Sequence, residues 1–168
     1  MTISMYQASI PAFQRTLKAL SAILDKAAAH AAARKIDQAV FMAARLSPDM
    51  LPFPRQIHIA ADFAKNTAAR LAGVEPPKYA DDEKTFDELK ARIAKTLAYI
   101  ETIKPGQIDG SEGRDITIPI GGKPTTFKGQ AYLVEFALPN FYFHATTAYA
   151  ILRHNSVEIG KRDFLGPA

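Results

Sequence analysis

SIPAFQRTLKALSAILDKAAAHAAA, residues 9–33, decides the fold, because Ile10, Phe13, Leu17, Leu20, Leu24 and Ala27 recur at steps of three and four. That spacing puts the apolar residues on one side of a 3.6-residue helix and predicts one long amphipathic helix. Ser9 reads as its N-cap, and Pro11 falls in the first turn, where a missing amide hydrogen has no intrahelical acceptor. The alanine-rich end continues with high helix propensity.

Three more helices follow the same logic. After Arg34 the segment KIDQAVFMAARLSPDMLPFP holds three prolines, which predicts a short helical turn and an ordered connection over one end of the bundle. A second helix is expected from near Pro54 to Gly73, with Ile57, Ala61, Ala64, Ala68 and Leu71 as its stripe and Gly73 as a left-handed cap. Thr85-Phe86-Asp87-Glu88 announces the third as a capping box, continued by Phe86, Leu89, Ile93, Leu97 and Ile100 and stopped at Pro105-Gly106. From Ile108 to Pro139 the pattern changes. ITIPIGGKPTTFKG predicts a short hairpin about Gly121-Gly122, and AYLVEFALP a buried extended or irregular segment. The fourth helix is expected from Asn140, as cap, to about His154. In the tail, Ile159, Phe164 and Leu165 are expected to dock on the bundle. The reading is an all-α, four-helix-bundle domain over residues 1–168, with a short β-hairpin or irregular insertion between helices three and four.

Composition agrees and narrows the function classes. With 48% hydrophobic and 23% charged residues the chain is globular rather than disordered, and 168 residues suffice for a core without staples. There is no cysteine, which excludes disulfides, thiolate ligands and a cysteine nucleophile and fits a reducing cytoplasm. MTISMYQASI has no basic region leading into an apolar run, so no secretory signal is expected, and no stretch is apolar enough to span a membrane. A soluble cytoplasmic protein is the expectation. The 21 basic and 17 acidic residues form no block, which argues against nucleic acid as a partner. Exposed helix faces would allow a homodimer.

The four histidines are His30, His58, His144 and His154. His144 and His154 share one helix about 15 Å apart along its axis and cannot share a metal. His30 sits in the alanine-rich end of the first helix, where a structural role is expected. His58 and His144 lie in the first turns of the second and fourth helices, and facing helices of bundles build metal sites. Asp62, one turn after His58, would orient its imidazole or supply a carboxylate. Glu135, Thr147 and Tyr149 are further candidates for a polar pocket. Phe141, Tyr142, Phe143 and Tyr149 either line an apolar pocket or belong to the core. Gly160-Lys161-Arg162-Asp163 reads as a solvated turn rather than an anion site.

QIHIAADFAKNTAARLAG (56–73) and NFYFHATTAYAILRHNSVEIGKRDFLG (140–166) resemble segments of an uncharacterised bacterial family of the DinB/YfiT-like superfamily. The likeness covers most of the chain and rests chiefly on FHATTAYAILRHN and GKRDFLG. It implies a divalent metal (zinc, nickel, manganese or iron) held by one histidine on the second helix and an HxxxH pair on the last. Some relatives in that superfamily are thiol-dependent transferases or isomerases. His58 matches the first position and His144 opens the pair, but Ala148 stands where the third ligand is expected, leaving Asp62, Glu135 or another chain to replace it. Two readings result. One is a metal-dependent enzyme, transferase or hydrolase-like, in which His58 and His144 hold a metal that activates a thiol cofactor or water. The other, which Ala148 favours, is a non-catalytic bundle that binds a small molecule near the same two histidines.

Overall fold

The computed structural model describes residues 2–167. Its long helices are α1 (Met5–Arg34), α3 (Phe53–Ala72), α4 (Phe86–Thr102) and α7 (Leu138–His154), with short α2 (Gln38–Ala43) and α5 (Pro105–Ile108) in the connections. α1 and α3 each pack against both α4 and α7, so the order around the bundle is α1, α4, α3, α7. Their apolar stripes meet in one buried cluster. Phe13 and Phe141 are fully buried in it, edge to face at 4.9 Å and 79°. Each such ring contributes about 2–3 kcal/mol by leaving water. Ala60, Ala61, Ala64 and Ala68 are fully buried, and their small side chains let α3 approach its neighbours closely. Among the described residues no helix is long and apolar enough to cross a membrane.

The local signals for α3 and α4 are where the sequence places them. Thr85 Oγ1 accepts from the Glu88 amide at 3.2 Å while Glu88 Oε2 accepts from the Thr85 amide at 3.0 Å. Gly73 ends α3 with φ 73°, the left-handed cap that favours glycine. Arg114 donates to the Leu71 carbonyl at 2.7 Å, satisfying one of the helix's last acceptors. The hairpin pairs β1 (Asp115–Ile120) antiparallel with β2 (Lys123–Lys128). Gly121 and Gly122 carry φ of 56° and 80°, the pair of positive angles that a two-residue hairpin turn requires. Ile116 and Ile118 face inward and are buried.

Two expectations are corrected. α1 starts at Met5, not near Ser9: Ser4 and Gln7 form the capping box, and Tyr6 N–H donates to Asp109 at 2.8 Å. Ser9, expected as the cap, lies inside the helix and donates to the Met5 carbonyl at 2.7 Å. Pro11 is therefore interior, and the Gln7 carbonyl that it leaves without a donor lies on an exposed residue, where water can replace the bond.

The second correction concerns residues 129–139. They are neither extended nor irregular but helical: α6 (Gly129–Ala131) runs into a π segment (Tyr132–Ala137) and on into α7. Pro139 removes an amide hydrogen and its ring crowds the carbonyl four residues back. The turn before it is widened, with Leu138 N–H donating to Leu133 O five residues back. Asn140, expected as a cap, instead uses its side-chain amide to donate to the Phe136 carbonyl at 2.7 Å.

Candidate functional site

α3 carries three functional faces. Successive residues turn by about 100°, so Gln56 and His58 point to opposite flanks, while Ile59, Asp62, Phe63, Asn66 and Arg70 share the outward face between them.

On the α4 flank, His58 is 2% exposed. Its Nε2 is 2.9 Å from a Glu83 carboxylate oxygen and its Nδ1 is 4.0 Å from Asp81, yet both ring nitrogens lack a well-directed hydrogen bond. Burial, helped by the Arg92 charge, holds the imidazole below its ordinary 6.5 against the pull of Glu83 and Asp81. Arg92 organises this flank. Buried on α4, it donates to the Ala80 carbonyl at 2.6 Å and pairs with Asp62 at 3.0 Å, Asp81 at 2.9 Å and Glu83 at 3.2 Å. Lys65, also buried, donates to the Pro77 carbonyl at 2.6 Å, pairs with Asp62 at 3.1 Å and lies 4.1 Å from the centre of the Tyr79 ring. Arg55 pairs with Asp81. Arg55, Lys65 and Arg92 thus balance Asp62, Asp81 and Glu83, and a neutral His58 keeps that balance. The network clamps the loop between α3 and α4 onto both helices. A cleft of about 300 Å³ lies beside it, bounded by Tyr79, Glu83, Arg92 and Lys95; there Glu83 pairs with Arg92, and Lys95 lies 4.2 Å from the centre of the Tyr79 ring.

On the α7 flank, His144 Nδ1 lies 2.7 Å from Gln56 Oε1. Gln56 commits its amide NH₂ to the Leu51 carbonyl at 2.9 Å, so its oxygen is the acceptor and the imidazole donates from Nδ1. The ring lies nearly parallel to Phe63, with centres 6.3 Å apart at 17°, and perpendicular to Phe143, with centres 5.2 Å apart. Burial lowers its pKa also. Ala148, one turn on, is fully buried.

The sequence-derived donor set does not fit a metal as it is arranged here. His58 and His144 engage groups on opposite flanks of α3, Asp62 is held by two cations, and Glu135 is exposed on the π segment. Among the described residues no group of three histidines and carboxylates is placed to hold a metal ion. Thr147 donates to the Phe143 carbonyl at 2.7 Å. The aromatic run divides: Phe141 is core, Tyr142 and Phe143 are 37% and 56% exposed, and Tyr149 packs on Phe164. His30 lies edge-on to Phe41, and His154 is exposed. Asp163 accepts from the Gly160 amide at 2.8 Å and from Lys26 at 2.6 Å, so that turn caps the short helix α8 (Lys161–Leu165).

The outward face of α3 is roofed by the hairpin and the π segment, leaving a cleft of about 200 Å³. Its walls are Ile59, Phe63, Ile118, Pro119 and Phe136, and a polar row of Asp62, Asn66 and Arg70 crosses its floor. Phe63 and Phe136 are 5.8 Å apart at 58°. Sequence reading missed Arg92, Asp81 and Glu83, and of the cleft it named only Asp62. One signal was present: Arg92 falls three residues after Leu89 and beside Ile93, a charge on the buried face of α4.

The family model described as a domain of unknown function, DUF1993, matches residues 5–165. A crystal structure of a DinB family member protein from Shewanella denitrificans is 42% identical, with a TM-score of 0.87 over 97% of this chain and 92% of that one. No curated protein matches.

Proposed function

The chain belongs to the DUF1993 family, with a DinB-like helical bundle, and from that premise we propose that it is a small-molecule-binding bundle whose ligand occupies the cleft between α3, the hairpin and the π segment. One observation carries this reading: elements distant in sequence converge there on an apolar, partly aromatic concavity, the usual form of a small-molecule site. π segments recur at functional sites, and here Phe136 of the π segment supplies a wall. His144 backs the cleft through Phe63, and His58 lies buried against Glu83 in the loop clamp beside it. Their separate commitments support binding over the competing reading of a metal-dependent thiol transferase or hydrolase.

Nuclear magnetic resonance titration of ¹⁵N-labelled protein with phenylacetamide, a neutral ring-sized probe, tests the site. Saturable shifts concentrated at Ile59, Phe63, Asn66, Ile118 and Phe136 are expected. Diffuse shifts that never saturate would remove the cleft as a binding site.

A further inference from the structure

We propose that the ligand of this cleft is a small monocarboxylate with a body about the size of one aromatic ring, its carboxylate held by Arg70 and Asn66; the inference rests on the small-molecule reading above. Asp62, Asn66 and Arg70 follow at four-residue steps along the cleft floor, each about 6 Å from the next. Asp62 is already compensated by Arg92 and Lys65. Arg70 is not. Its Nη1 donates to the Tyr132 hydroxyl at 2.9 Å, and among the described residues it pairs with no carboxylate. Asn66, one turn away, lines the same cleft.

Tyr132 is fully buried, stacks on Phe136 at 6.0 Å, and has its ring centre 5.9 Å from the Arg70 guanidinium. One edge of the guanidinium is thereby fixed while its other N–H groups stay available, a preorganised fork that matches the two oxygens of a carboxylate. A single cation and a neutral amide suit a monoanion; a phosphate dianion would call for more positive partners, and Asp62 at the far end opposes it. Phe63, Phe136 and Ile59 supply the apolar walls. The volume limits the body, since a dry cavity of about 150 Å³ takes one benzene ring and this cleft is about 200 Å³.

The test compares phenylacetate with phenylacetamide, equal in shape and different in charge, by titration against the wild type, Arg70→Gln and Tyr132→Phe. In the wild type phenylacetate should bind about tenfold more tightly than the amide, the value of one net charged hydrogen bond. In Arg70→Gln the preference should fall to about twofold or less while the amide still binds, and Tyr132→Phe, which keeps the guanidinium, should retain a preference. Equal wild-type affinities would overturn the carboxylate assignment and leave the cleft standing. A preference that survives Arg70→Gln would overturn the role of Arg70. If neither probe binds, the cleft and its ligand class fall together.

Discussion

Arg92 and His58 show what single residues do beneath the site. Arg92 is buried and pairs with three carboxylates, of which Asp62 and Asp81 are partly exposed and keep Lys65 and Arg55 as partners, so Arg92→Met leaves Glu83 without its cation and should cost about 2–3 kcal/mol in urea unfolding. Arg92→Lys should recover little, because a point charge cannot serve Asp62, Asp81, Glu83 and the Ala80 carbonyl at once; a loss under about 1 kcal/mol for the methionine variant would refute the network's weight. His58 and His144 are both held below their ordinary 6.5. As pH falls through that value the unfolded chain takes up these protons first, so stability is fully present above about pH 7 and declines toward pH 5. The slope is at most about 1.4 kcal/mol per pH unit for each ring. Unfolding free energies of His58→Gln and His144→Gln, measured across that window, should each show a shallower decline, and an unchanged slope would mean that the ring concerned is not held neutral. His144 was legible as a residue of interest, but its partner Gln56 lies 88 positions away, and no local pattern connects them.

Among the elements, those specified by neighbouring residues were legible in the sequence. The Thr85/Glu88 box, Gly73 and the Gly121-Gly122 turn each act within four residues, and each stands where the sequence predicts it. The helix from Gly129 to His154 was legible only in its second half. Pro139 reads locally as a boundary, whereas the fold absorbs it by widening one turn, and only packing of Tyr132, Leu133 and Ala137 into the core decides between the two. Ser4 was missed as a cap for a similar reason: Ser9 and Pro11 give a stronger local signal than the Ser4/Gln7 box. Gly129 marks where the helix begins. A Cβ there would overlap the Ser111 carbonyl, so Gly129→Ala should destabilise by about 2–3 kcal/mol, and hydrogen exchange should quicken first in the π segment. An alanine variant as stable as the wild type would show that the loop shifts freely and does not pin this helix.

For the molecule as a whole, the bundle and its hairpin were legible because periodicity and caps are written along the chain, while the cleft was not, because it exists only where the hairpin folds back over α3. The family pattern directed attention to His58 and His144 as a pair, and the roughly 200° of α3 between His58 and Gln56, the partner of His144, divides them between an ion-pair clamp and an aromatic wall. That division is most directly tested by elemental analysis of protein purified without chelator or affinity metal, repeated on His58→Ala and His144→Ala. Divalent metal far below one ion per chain, unchanged in both variants, is the expected result; about one ion per chain in the wild type, lost in both variants, would contradict it and make the two histidines ligands of a common centre.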